Sequence, residues 1–314
     1  GKTWVLAKVK DCLEGMGKRV VCLAPTHAGA RLLPDGDTVH HFVGKYAMMG
    51  SFKGWILLDE ISMCCVPLIA ALDQLRLIGT KICTFGDHAQ LPPHPESNSW
   101  RGEPISATAF RNSRLYKHWS DMTCFELTRC RRSDPDHFNF YCNLPNDLNK
   151  AIAKTKKSYP AAGEAPGVDL HVCLSHWRRR KIALAKQKEA AKGKACIEVP
   201  ESDDPAYPLF LGTKLVGNCT NGKFTNGARY IVKDILAGAT VLLEDTGKQI
   251  EFETSLDAIS KNTILAWALT YQKIQGITEE GTIMLHDLTS KNLKKSHLYV
   301  GLSRVTNGKN LFVA

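Results

Sequence analysis

The chain has 314 residues, 44% of them hydrophobic and 23% charged. This is the profile of an ordinary globular protein with room for two domains. It has no apolar run of about 18 residues, so no membrane-crossing helix is expected, and no signal peptide opens it. Lysine plus arginine total 41 against 31 acidic residues, a net charge of +10 that favours a polyanionic partner. The 11 cysteines are an odd number with no C-x-x-C pair. They point to reduced, mostly buried thiols of an intracellular protein rather than a disulfide framework or a zinc site.

Gly1-Lys2-Thr3 is the end of a phosphate-binding loop of pattern G-x-x-x-x-G-K-[ST]. The apolar run Trp4 to Val9 suits the helix that such a loop opens. On this reading the strand and the first glycine of the loop lie upstream of Gly1. Arg19 to Ala24 reads as a short buried strand, broken at Pro25-Thr26-His27-Ala28-Gly29-Ala30. Gly54 to Glu60 is an apolar run ending in two carboxylates, and Lys81 to Asp87 is a strand ending in a polar turn. Strands alternating with helix-length segments predict a parallel α/β sheet, with polar residues gathered at the carboxyl ends of its strands.

A second α/β stretch starts near Cys124, with a strand expected over 169–174. From Arg178 to Lys194 there are eight basic residues and one acid, Glu189. Such a run fits a solvated helix face better than a phosphate contact. Asn-Gly turns at Asn221-Gly222 and Asn226-Gly227, with short β-rich runs after them, predict a small β-barrel over about 215–262. The α/β pattern is expected to resume at Thr263 to Ala268.

Each polar strand end suits one task in phosphoryl transfer. Lys2 suits the β- and γ-phosphates and Thr3 suits Mg²⁺. Asp59 suits the same ion, and Glu60 the attacking water. Gln90, in Gly86-Asp87-His88-Ala89-Gln90-Leu91-Pro92-Pro93, suits sensing of the γ-phosphate.

Together these motifs resemble the superfamily 1 DNA helicases of the RecD/Pif type. Gly1-Lys2-Thr3 is similar to the end of motif I, and Ala24 to Ala30 to motif Ia. Thr38-Val39-His40-His41-Phe42 is similar to the T-I-H-S-F segment that follows. Asp59-Glu60-Ile61-Ser62-Met63 matches the D-E-I-S-M motif II, and Gly86 to Pro93 fits motif III. Glu126 to Asp134 resembles motif IV, Leu269 to Thr278 motif V, and Tyr299 to Val305 motif VI. The departures are His27 for the glycine of motif Ia, Gln272-Lys273-Ile274-Gln275-Gly276 for H-K-S-Q-G, and Gly301 for alanine.

The resemblance implies two RecA-like P-loop NTPase domains, residues 1–123 and 124–314, with an SH3-like barrel inserted in the second. It implies ATP and Mg²⁺ as cofactors, held by Gly1, Lys2, Thr3, Asp59 and Gly276, and ATP hydrolysis by Lys2, Glu60 and Gln90. Arg132 and Arg304 are the arginine fingers, expected from the second domain. Pro25, Thr26, His40, Phe42, Thr270 and Thr278 are the candidate grips on single-stranded DNA, with His40 and Phe42 equally readable as core residues. The implied activity is 5′-to-3′ movement on single-stranded DNA and unwinding at duplex junctions, by a monomer, in replication, repair or recombination. Other replication or repair proteins are possible partners. A viral-type superfamily 1 RNA helicase and a non-motor nucleic-acid-binding remnant are the alternative readings.

Overall fold

A computed structural model describes residues 1–47, 50–93, 99–100, 103–104, 112–119, 123–164 and 167–314. The chain divides into two compact units, Gly1–Arg132 and Ser133–Ala314. The division falls nine residues beyond the expected boundary at 123/124, a difference with a local cause. Attachment to the second unit starts at Ser133, whose hydroxyl donates to the Val305 carbonyl at 3.2 Å. Asp134 continues it, its N–H donating to the Thr306 carbonyl at 2.9 Å. Arg132, expected from the second domain, is therefore the last residue of the first unit.

The first unit begins with helix α1 (Lys2–Gly15), then β1 (Val20–Ala24), α2 (His27–Arg31), β2 (Asp37–Thr38), α3 (Val39–Phe42), β3 (Trp55–Leu58), α4 (Val66–Leu77) and β4 (Lys81–Thr84). The four strands form one parallel sheet in the order β2-β1-β3-β4. β3 pairs on both edges, and Ile56, Leu57 and Leu58 are all buried. Central strands of parallel sheets are apolar on both faces, which is why this segment is a continuous rather than an alternating run. A two-stranded pair, β5 (Ser99–Trp100) and β6 (Glu103–Pro104), and the short helix α5 (Arg114–Trp119) follow.

Phe42 belongs to the core of this unit. Its ring is 1% exposed and packs edge-on against Phe52, with centroids 5.1 Å apart, and against Tyr46 at 4.9 Å. Of the two readings of Phe42, the core one holds and the DNA-grip one is corrected, while His40 on the same helix is exposed.

The second unit has helices α6 (Pro135–Cys142) and α7 (Leu148–Ser158), strand β7 (Leu170–Cys173) and the long helix α8 (His176–Ala190). A short antiparallel pair, β8 (Ile197–Val199) and β9 (Tyr207–Leu209), leads to β10 (Lys214–Gly217), β11 (Arg229–Ile235), β12 (Thr240–Asp245) and β13 (Ile250–Ser255). Helix α9 (Leu256–Asn262) and strands β14 (Thr263–Leu265), β15 (Ala268–Thr270) and β16 (Ile283–Leu285) follow. Helix α10 (Lys295–Leu302) and β17 (Leu311–Val313) close the chain's second parallel sheet, of order β15-β7-β16-β17.

Strands β10 to β14 form an antiparallel sheet in the order β13-β12-β11-β10-β14. Its two end strands do not pair among the described residues, so the expected SH3-like barrel is here an open five-stranded order. Gly217 is required where β10 leaves this sheet, because a Cβ there would lie 2.0 Å from the Thr225 carbonyl oxygen. The run Thr263 to Ala268, expected to resume the α/β pattern, is split between the two sheets. Ala266 N–H donates to Lys214 of the antiparallel sheet, and His171 N–H of β7 donates to the next carbonyl, Trp267. A continuous apolar run carries no mark of where one sheet hands over to the other.

Replacing Phe42 with alanine removes a ring from a close-packed aromatic cluster. It is expected to destabilise the first unit by about 3–5 kcal/mol. Denaturant unfolding monitored on the intact protein should show an earlier transition for that unit, and an unshifted transition would contradict the core placement.

Candidate functional site

The first unit gathers its predicted residues at the carboxyl ends of β1, β3 and β4 and at the start of α1. Gly1 caps α1, its carbonyl accepting from the Val5 N–H at 3.0 Å. Lys2 and Thr3 are the first residues of that helix and are half-buried. The Thr3 hydroxyl donates to Asp59 Oδ2 at 3.1 Å, linking the helix start to the end of β3. Asp59 is 6% exposed, and its other oxygen accepts from the Glu60 N–H at 2.9 Å.

Glu60 takes a left-handed backbone conformation, φ +50° and ψ +45°. A non-glycine residue holds that conformation only when its surroundings impose it. Here the imposing contacts are the Asp59 carboxylate on one side and, on the other, the Ile61 N–H donating to Phe85 at the end of β4. The turn at Asp59–Glu60 thus lies beside the turn that carries Gln90. Gln90 is buried, its N–H donating to the Asp87 carbonyl at 3.2 Å. Arg132 is exposed and close enough to Gly1 for their charges to interact. Leu127 also lies near Gly1, so the segment before Arg132 passes the start of α1.

This arrangement fits the implied magnesium. A hydroxyl and a carboxylate in contact at a helix N-terminus are hard oxygen donors, and Mg²⁺ is commonly held by one or two such groups together with substrate phosphates. No cluster of three or more His, Cys, Asp or Glu with metal-binding geometry occurs among the described residues. The Thr3–Asp59 contact fits an ion shared with phosphates, which those two residues would hold. The helix N-terminus adds backbone N–H groups and the positive end of its dipole for the phosphates.

The candidate grips differ in their surroundings. Pro25 and Thr26 are half-buried at the end of β1, and the Thr26 hydroxyl caps α2 by accepting from the Gly29 N–H at 3.0 Å. In the second unit Thr270 is buried at the end of β15, where its hydroxyl accepts from the Lys273 N–H at 3.2 Å. Thr278 is exposed. Between them Gly276 has φ +84°, a conformation that glycine adopts without steric penalty. Thr26 and Thr270 thus shape turns with their hydroxyls.

Arg304 follows α10 and is 2% exposed. Its Nε donates to the Val300 carbonyl at 3.1 Å, one Nη to the Ile277 carbonyl at 3.2 Å and the other to the Ser303 hydroxyl at 2.8 Å. The guanidinium is thereby tied to the turn that carries Gly276 and Thr278.

Two groups at the ends of β7 and β16 carried no motif. Asp287 has φ +63°, and its carboxylate accepts the Leu174 N–H at 2.8 Å and Arg178 at 2.9 Å. His171 Nδ1 and His286 Nε2 lie 2.9 Å apart inside the sheet. Their outer ring nitrogens are buried with no hydrogen-bond partner. Burial pushes both imidazoles down to about 4, helped at His171 by the His286 charge and at His286 by Arg178.

Residues 1–101 match the model of a family described as an AAA domain. No match was found among the curated proteins. Among solved structures, Bacteroides Pif1 bound to single-stranded DNA is 21% identical with a TM-score of 0.70, all of this chain covering 86% of that one. The Bacteroides Pif1 helicase in complex with ADP-AlF3 and single-stranded DNA gives 21% identity, a TM-score of 0.69 and the same coverage. The Pif1 helicase from Candida albicans gives 18% identity and a TM-score of 0.65, all of this chain covering 88% of that one.

The histidine pair makes stability depend on pH. Unfolded imidazoles take up protons near pH 6.5, whereas the folded pair resists down to about 4. In that window the unfolded chain binds more protons, so stability falls as pH is lowered. The denaturation midpoint of the second unit should drop between pH 6.5 and 4. The double variant His171→Asn/His286→Asn should show a flatter profile, and parallel profiles would exclude the pair as the cause. By its architecture, the chain has over its whole length the fold of the Pif1 helicases.

Proposed function

We propose that this chain is the motor of an ATP-dependent DNA helicase that couples Mg²⁺–ATP hydrolysis to movement on single-stranded DNA. The observation that carries this reading is the Thr3–Asp59 hydrogen bond at the start of α1, which brings the ends of two motifs to one point. Its support from outside the chain is the fold shared with helicases solved on single-stranded DNA and with ADP-AlF3.

ATP supplies the phosphoanhydride whose cleavage drives the motor. The chain's own residues divide the remaining work. Lys2 neutralises the outer phosphates, while Thr3 and Asp59 fix the ion. Glu60, held by a strained turn, orients and polarises water for attack. Gln90 hydrogen-bonds the γ-phosphate or that water and loses this bond on hydrolysis. Arg132 and Arg304 are the cations that offset charge developing on the transferred group. For Arg304 this role requires exchanging its bonds to Val300, Ile277 and Ser303 for bonds to phosphate. Nucleotide state is thereby linked to the turn that carries Gly276 and Thr278.

The DNA contacts are assigned to Pro25, Thr26, His40, Thr270 and Thr278. Backbone contacts of this kind position a strand without reading its sequence. Movement is assigned as 5′ to 3′, with duplex junctions as the substrate for unwinding. The protein is assigned as an intracellular monomer, with replication, repair or recombination as its setting.

ATP hydrolysis by the intact protein should be stimulated several-fold by single-stranded DNA and less by RNA of the same length. The Lys2→Ala variant should lose turnover altogether. Equal stimulation by RNA would favour the RNA-helicase alternative, and normal turnover in the variant would remove the phosphate-loop assignment. The Arg304→Ala variant is expected to bind nucleotide nearly as well as the parent while turnover falls on the order of 10³-fold. A nucleotide titration beside steady-state hydrolysis separates the two effects, and unchanged turnover would refute the finger role.

A further inference from the structure

The basic run after Arg178 is mostly engaged within the protein. Arg179, 2% exposed, is held by both oxygens of Asp204, and Arg180 shares that carboxylate at 2.9 Å. Arg178 holds Asp287, Lys186 pairs with Glu189, and the Lys194 ammonium lies 4.0 Å from the centre of the Phe210 ring. The expected solvated helix face holds only for the exposed lysines Lys181, Lys188, Lys192 and Lys194, whereas the arginines are partnered. One side chain on the same helix does not fit that description. Trp177 is 68% exposed.

An indole in water forgoes the apolar burial that drives folding. Its backbone is nevertheless tightly placed. Ser175 caps α8 by accepting from the Arg178 N–H at 3.2 Å, and the flanking residues Leu174 and Arg178 are both bonded to Asp287. One helical turn on, the Lys181 ammonium lies 5.3 Å from the centre of the indole. A cation on a π-face is attracted to it and puts a positive charge beside the ring.

The neighbourhood suits a strand of nucleic acid. Trp177 lies just past the carboxyl end of β7, the end of a parallel sheet where ligands collect. Leu174, Thr270, Tyr271, Gln272 and His297 line a shallow hollow of about 100 Å³ at the same end. Lys273, in the turn after β15, is close enough to His176 and Arg179 for their charges to interact. An exposed aromatic face with a lysine beside it is a combination by which single strands are held without sequence preference.

We infer that Trp177 is a base-stacking residue for single-stranded DNA, one base lying on the indole while Lys181 takes an adjoining phosphate. The inference rests on the helicase reading and assigns it a contact that no motif contains. Stacking supplies affinity for a base of any identity, and it ties the strand to the helix that follows β7.

Binding of an oligothymidine to the parent protein, Trp177→Ala and Trp177→Phe tests this, alongside an abasic oligomer of equal length. The alanine variant should bind oligothymidine about tenfold more weakly, within the roughly 5- to 150-fold that one lost stack predicts. The phenylalanine variant should retain most of the affinity. On the abasic oligomer the parent and both variants should bind alike. Oligothymidine binding unchanged in Trp177→Ala would overturn the inference and leave the helicase reading standing. An equal loss on both oligomers would also overturn it, by showing that the residue acts on the backbone path or the fold. A parent protein that binds neither oligomer would instead defeat the helicase reading itself.

Discussion

The Thr3 hydroxyl and the Asp59 carboxylate meet at 3.1 Å, and the first unit is organised so that they can. The hydroxyl belongs to the first turn of a helix and the carboxylate follows a buried strand. A divalent ion shared with a triphosphate needs such hard oxygens in contact, in a place where backbone N–H groups also converge. A parallel sheet can bring such groups together because its strands all end on one side. A turn that leaves one strand is then a neighbour of the turns that leave the adjacent strands. The left-handed backbone at Glu60 is a local consequence, imposed where the two turns beside β3 and β4 are bonded together.

The second unit repeats the parallel sheet and uses it differently. Its polar groups at the strand ends bind mostly to one another. Arg304 donates to three groups of its own unit, Asp287 joins the end of β7 to Arg178, and the two histidines face each other inside the sheet. Such pairing matters because an unpaired buried polar group is costly, a cost that the outer ring nitrogens of the two histidines still carry. It also means that a ligand acting on Arg304 acts on the Ile277 turn, since the guanidinium holds that turn's carbonyl. Burial pushes the Cys173 thiol on β7 up to about 12, which keeps it protonated.

Surface charge takes its meaning from pairing. The net excess of basic residues pointed to a polyanion, and the densest basic run lies on α8. Within that run the arginines are partnered by Asp204 and Asp287, acids distant in sequence. Several lysines and one indole are left facing solvent, and the exposed aromatic is more informative than the charges around it.

Sequence alone determined the motif order, the two parallel sheets and the polar residues that gather at the start of α1 and the strand ends of the first unit. These follow from short-range patterns: apolar strand runs, glycine-rich turns, and acids or amides at strand ends. Tertiary structure decided what depends on partners far along the chain. It placed Phe42 against Phe52 and Tyr46 rather than on the surface. It split the run from Thr263 to Thr270 between two sheets, and it moved the unit boundary to where Ser133 meets Val305. Among the described residues it left the antiparallel sheet open between β13 and β14 while pairing β14 with β10, an order that no single strand's sequence carries. The burial of Arg304 and the exposure of Trp177 belong to the same class. The residue types were plain in the sequence, but solvent access is a property of the packed whole.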